Sequence, residues 1–182
     1  MKAQLDDLTA ARAKLNGIID SLNASMKKQF AEKFALIGEK FDQVFSSLFG
    51  GGKGTLSLTD PDDLLGSGII ITAQPPGKKL QNMMQLSGGE KALTAISLLF
   101  AIQSLNPSPF CLLDEIEAAL DDANVKRFAE YLGNLTKDTQ FIVITHRRGT
   151  MKAADVLYGI TMQEKGVSAM VSVNLIENQL SR

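Results

Sequence analysis

Apolar residues recur along positions 1–48 with a helical period that changes character part-way. Leu5, Leu8, Leu15, Ile19, Leu22 and Met26 follow a three-four alternation, interrupted at Arg12, which is the a/d seam of a coiled coil. After Met26 the stripe slips and resumes at Phe30, Phe34, Ile37, Phe41, Val44, Phe45 and Leu48, no longer on a 3.5-residue period. The change from aliphatic to aromatic residues at the slip predicts a coil that reaches a globular body and docks on it. A single amphipathic surface helix is the other reading of the same stripe. Phe49-Gly50-Gly51-Gly52-Lys53-Gly54-Thr55 predicts a helix stop and a tight turn into a strand.

Thr55–Leu58 and Ile69–Gln74 have strand character, with a turn at 59–63 and a loop at Pro75-Pro76-Gly77-Lys78-Lys79. Ser87 and Glu90 then form S-x-x-E, a capping box, ahead of an apolar run that Pro107 and Pro109 must end. This predicts a core helix to about Leu105 with almost no polar face. Phe110-Cys111-Leu112-Leu113 and Phe141-Ile142-Val143-Ile144-Thr145 are continuous apolar runs, predicted as buried strands of a parallel sheet. Between them Asp121 or Asp122 can cap a helix whose face carries Val125, Phe128, Leu132 and Leu135. Val156–Thr161 and Val167–Leu175 alternate around a Glu-Lys-Gly turn and predict a terminal hairpin, with residues 177–182 frayed.

Composition narrows the picture only a little. The 182 residues carry a net charge of −1, so the total suggests neither a nucleic-acid arm nor a membrane surface. The single cysteine, Cys111, cannot form an internal disulfide and fits a reducing compartment. No apolar run approaches a membrane span, and no signal peptide is evident. The expectation is a soluble, cytoplasmic protein.

Candidate chemistry sits at three places. Gly88 and Gly89 stand in the first turn of the capped helix, where each glycine costs up to about 1 kcal/mol relative to alanine. They make sense where something approaches the backbone closely, and a helix start with free N–H groups and a serine suits a phosphate. Asp114 and Glu115 follow the first apolar strand, at the end of a parallel strand where ligands bind. His146, the only histidine, follows the second. The glycine-rich turn at 50–54 imitates a phosphate loop, but Gly54 separates Lys53 from Thr55 and a helix precedes it. The pattern Gly-x-x-x-x-Gly-Lys-Ser/Thr does not occur in the chain.

Leu86-Ser87-Gly88-Gly89-Glu90 resembles the signature motif of ABC-type ATPases. Leu113-Asp114-Glu115 resembles their Walker B motif with its catalytic glutamate, Ala119-Leu120-Asp121-Asp122 their D-loop, and His146 their switch histidine. Further stretches, Gln74-Pro75-Pro76-Gly77-Lys78-Lys79 and Thr145-His146-Arg147-Arg148-Gly149-Thr150-Met151 above all, resemble the bacterial SMC (structural maintenance of chromosomes) proteins across essentially the whole chain. Glu117 stands where many such proteins carry aspartate, and the carboxylate is kept.

The resemblance implies an α/β fold: the C-terminal lobe of an ABC-type ATPase head, a mixed sheet with flanking helices, behind an N-terminal coiled-coil helix. Residues 1–29 would be the end of the coiled-coil arm, 30–176 the C-terminal half of the head, and 177–182 the tail. Asp114 would hold Mg2+, Glu115 would orient the attacking water, and His146 would contact the γ-phosphate of ATP. Ser87, Gly88, Gly89 and Glu90 would bind that phosphate from a second head, with Asp121 across the interface. The implied partners are the N-terminal half of the same head, which would supply the phosphate loop, a second SMC head in a homodimer, a kleisin subunit and DNA. The implied setting is the nucleoid, in chromosome condensation and segregation. Two alternatives share these residues: a coiled-coil ABC ATPase of double-strand-break repair, and a non-hydrolysing module that docks a kleisin.

Overall fold

The computed structural model describes residues 2–174; the expected tail at 177–182 and the residues just before it lie outside them. The first element, α1, is a single helix, Lys2–Phe49. Its exposed part includes Leu15, Ile19, Leu22 and Met26, each more than half exposed. Burial becomes complete at Phe41, Val44, Phe45 and Leu48, which enter the core together. The glycines stop the helix as their conformational freedom allows. Gly50 takes φ +72°, and the Gly51 N–H reaches back 2.8 Å to the Ser46 carbonyl, the six-to-one bond of a Schellman motif.

β1 (Lys53–Leu58) pairs antiparallel with β2 (Ile69–Gln74), which pairs antiparallel with the two-residue β3 (Gln81–Asn82). Gly54 lets this sheet sit on α1: a Cβ there would lie 2.8 Å from Phe41 and 3.0 Å from Phe45. A one-turn 3-10 helix at Met83–Gln85 leads into α2 (Gly88–Leu105), which begins and ends as the capping box and prolines predict. Phe100 anchors the core, stacked on Phe128 and Tyr131 and edge-on to Phe141.

β4 (Phe110–Asp114) and β5 (Gln140–Ile144) are parallel, Asp114 opposite Ile144, as the apolar runs predict. They are joined through α3 (Asp122–Leu135), whose Val125, Phe128 and Leu132 face the core. A short helix, α4 (Arg148–Lys152), follows His146; Gly149 lets it rest on Val125, 2.8 Å from where a Cβ would stand. β6 (Val156–Glu164) and β7 (Val167–Asn174) close as an antiparallel hairpin through Gly166 at φ +81°.

Three expectations need correction. The strands do not form one mixed sheet; they divide into β1-β2-β3, β4-β5 and β6-β7. β4 and β5 are not buried on both faces. Cys111, Leu113, Phe141 and Val143 pack inward, but period two sends Phe110, Leu112, Ile142 and Ile144 to a face open to solvent, each about half exposed or more. α2 likewise leaves Leu99 and Ile102 substantially exposed. The cause is shared: the core described here lies on one side of these elements only. Among the described residues no helix is long and apolar enough to cross a membrane.

Candidate active site

The start of α2 is built by its own side chains. Ser87 Oγ donates to Glu90 Oε2 at 2.8 Å and accepts from the Glu90 N–H at 3.4 Å, while Glu90 Oε2 accepts the Ser87 N–H at 3.1 Å. Lys78 from the preceding loop closes on Glu90 Oε1 at 2.9 Å. The Lys78 ammonium holds the Glu90 carboxyl below its ordinary range, with the Ser87 hydroxyl and amide adding to the effect against the cost of partial burial. The glycines differ in reason. A Cβ on Gly89 would stand 3.1 Å from the Ala119 carbonyl, a tight approach that favours glycine there; Gly88 faces open space.

Ser87, Gly89 and Glu90 share an open cleft with Asp121, Asn124 and Arg127. Asp121 caps α3: its Oδ1 accepts from the Asn124 N–H at 2.8 Å and its Oδ2 from Asn124 Nδ2 at 3.1 Å. The signature-like turn and the D-loop-like turn thus meet at one cleft.

A second grouping lies at the C-terminal end of the β4-β5 pair. The Glu115 N–H donates 3.0 Å to the Ile144 carbonyl, extending the ladder one step. Glu115 then turns to φ +48°, alone among described non-glycine residues in having positive φ. A left-handed backbone costs a residue with a Cβ about 1–2 kcal/mol, and such strain clusters at functional sites. Its carboxylate Oε1 lies 3.3 Å from His146 Nδ1, and both side chains are more than half exposed. Asp114 is exposed beside them. Among the described residues no three His, Cys, Asp or Glu side chains form a metal cage.

The structure therefore brings Ser87, Gly89, Glu90 and Asp121 to one cleft and, separately, Glu115 to His146. The sequence did not reveal Glu117, Thr145, Arg147 and Thr150 as a network. Glu117 is fully buried, and its Oε1 accepts from both Thr145 Oγ1 and Thr150 Oγ1. The available signal was weak: Glu117 is the third carboxylate in Asp114-Glu115-Ile116-Glu117, and nothing local marks it as the buried one.

Residues 2–169 match the family of the RecF/RecN/SMC N terminal domain. The chromosome partition protein Smc of Bacillus subtilis (strain 168) is 60% identical over 179 residues, 98% of this chain and 15% of that protein. Its counterpart in Mycobacterium tuberculosis is 44% identical over 182 residues, 100% of this chain and again 15% of that protein. The Smc head domain of Pyrococcus furiosus, with an extended coiled coil and bound to the C-terminal domain of ScpA, superposes with a TM-score of 0.83 at 40% identity, over 98% of this chain and 45% of that one. A chain described with ATP-driven dimerization and DNA-stimulated activation of SMC ATPases gives 0.77 at 42% identity, over 86% of this chain and 98% of that one.

The family match overturns one expectation. The chain was expected to be the C-terminal half of an SMC head, completed by an N-terminal half; the family spanning residues 2–169 is that of an N-terminal domain. The expectation rested on the resemblance, on a missing phosphate-loop pattern and on a coil-like helix ahead of the motifs, and what a sequence lacks does not establish which end of a longer protein it represents. With the matched domain, relatives at 44–60% identity and head structures of the same mixed α/β fold behind a long helix, the chain belongs to the SMC family.

Proposed function

We propose that this chain forms part of the ATP-hydrolysing head of a chromosome-partition SMC protein. The observation that carries the reading is Glu115 beside His146, 3.3 Å apart at the open end of a parallel strand pair, on a backbone strained at Glu115. Phosphoryl transfer to water asks mainly for positioning and charge, and this grouping offers both. Glu115 orients the attacking water and accepts its proton. His146 contacts the γ-phosphate and helps to hold the water. Asp114 would hold a magnesium ion, and that ion would supply charge neutralisation at the phosphates. Ser87 and the amides at Gly88 and Gly89 present the signature surface to a nucleotide on a second head, with Glu90 setting the serine and Asp121 at the same interface.

No Gly-x-x-x-x-Gly-Lys-Ser/Thr pattern occurs in the 182 residues. The bare faces of β4-β5 and α2 support a head completed by further chain. Residues 1–29 act as the end of a coiled-coil arm and residues 30–176 as the body of this part of the head. The chain spans 15% of the Smc relatives' length, so turnover belongs to the longer protein. ScpA bound to a similar head, and the ATP-driven dimerization and DNA stimulation of SMC ATPases, support a kleisin, a second head and DNA as partners. The relatives' role in chromosome partition favours this setting over strand-break repair.

The test is Ser87→Arg in the full-length protein. ATP binding is expected to persist while ATP-dependent head association and turnover are lost. Loss of ATP binding itself would show that Ser87 serves a nucleotide on its own head.

A further inference from the structure

Two loops carry the candidate hydrolytic groups. One runs from Glu115 to Asp121, the other from Thr145 through His146 into α4, where Thr150 lies. Side chains with no assigned part in the chemistry bind these loops to each other at both ends.

Glu117, with no exposed surface, sits in the first loop. Its Oε1 takes hydrogen bonds from Thr145 and, at 2.9 Å, from Thr150, so one carboxylate oxygen grips the second loop on both sides of His146. The Thr145 hydroxyl in turn accepts the Arg147 N–H at 2.9 Å, which fixes the backbone immediately after the histidine. Arg147 returns the contact. Its Nη2 donates to the Leu120 carbonyl at 2.7 Å, directly before Asp121, and to Asp122 Oδ1 at 3.0 Å. The Arg147 side chain is three-quarters buried, and Leu120 almost wholly so. The Leu120 contact is therefore shielded from solvent, unlike an ordinary surface ion pair. The same loop supports α2, through the Ala119 carbonyl against Gly89.

Burying a carboxylate is costly unless it is well paired, and Glu117 Oε2 has no partner among the described residues. A residue kept solely to stabilise the fold would be better replaced by an apolar side chain of similar volume.

We propose that Glu117 and Arg147 are positioning residues for hydrolysis. They clamp the two loops so that Glu115, Asp121 and His146 keep one mutual geometry, and so that a shift at the signature turn is transmitted to the hydrolytic end. This rests on the reading of Glu115 and His146 given above.

The test uses the full-length protein, measuring kcat and KM for ATP together with the thermal midpoint. Arg147→Ala and Glu117→Leu are expected to lower kcat by about tenfold to a hundredfold, as small misplacements of reacting groups do. KM should stay within about twofold, since nucleotide binding is not what the clamp serves. Glu117→Gln keeps the Oε1 acceptor and should recover most of the loss. Where Glu117→Leu fails to fold, Arg147→Ala and Arg147→Lys decide the matter, since the polar contacts of Arg147 lie nearer the surface. The proposal is overturned if kcat per folded molecule is unchanged in the Arg147 variants, or if Glu117→Gln is no better than Glu117→Leu. Glu115→Gln is measured alongside. If it turns over normally, the reading of the site fails and this proposal with it; if it is inactive while the Arg147 variants are normal, the clamp alone is refuted.

Discussion

His146 Nδ1 lies 3.3 Å from Glu115 Oε1, although 31 positions separate the two residues in the chain. The parallel register of β4 and β5 makes this possible: Asp114 stands opposite Ile144, so each strand delivers its next residues to the same edge. The left-handed turn at Glu115 then aims its carboxylate back across that edge.

Replacing Glu115 with glutamine keeps the shape and removes the proposed proton acceptor. In the full-length protein, phosphate release should fall by about a hundredfold or more, the scale of general-base catalysis, with ATP still bound. Comparing phosphate release with nucleotide-binding isotherms checks this, and normal turnover would exclude Glu115 as the base.

The strain at Glu115 has a separate signature in stability. Glycine normally costs about 0.5–1 kcal/mol of backbone entropy, but at φ +48° it also relieves about 1–2 kcal/mol of steric cost. Glu115→Gly should therefore leave the stability of this chain unchanged or raise it by up to about 1 kcal/mol. A denaturant midpoint that drops by as much as glycine costs elsewhere would show that the backbone here is relaxed.

Two further glycines should respond in opposite senses. Gly133 lies on the exposed face of α3 with nothing within 4 Å of its Cβ position, so Gly133→Ala should stabilise by about 0.5–1 kcal/mol. Gly54→Ala would press a methyl against Phe41 at 2.8 Å and Phe45 at 3.0 Å, two rings locked in the core. It should destabilise by about 1–3 kcal/mol, as overpacking does. Urea unfolding of both variants gives the comparison; a Gly54→Ala protein as stable as the parent would mean that β1 can shift off α1.

Glu90 predicts a pH dependence. Its folded-state pKa lies below the ordinary 4.5, mainly through Lys78. A carboxyl with a depressed pKa contributes stability above its unfolded value and loses it as pH falls through the folded one. The stability gap between the parent and Glu90→Gln should therefore be present at neutral pH and shrink below about pH 4.5. Lys78→Met should narrow the gap at neutral pH. A gap that does not change with pH would place the value of Glu90 in packing rather than in its charge.

The long α1, the capped α2, the amphipathic α3 and the strands β4 and β5 were legible in the sequence because their signals are local. A capping box, a period of 3.6 and a proline stop act within a few residues, so Ser87, Glu90, Pro107 and Pro109 mark α2 without reference to the rest of the fold. The candidate site residues stood out for the same reason, as short motifs at strand and helix ends. What only the tertiary structure decided is how those ends meet. The burial of Glu117 between Thr145 and Thr150, the reach of Arg147 to Leu120, and the close approach of the Ala119 carbonyl to Gly89 all join positions that are distant in the chain. The open face of Phe110, Leu112, Ile142 and Ile144 is of the same kind: an apolar run marks a strand, but which of its faces is covered depends on what packs against it.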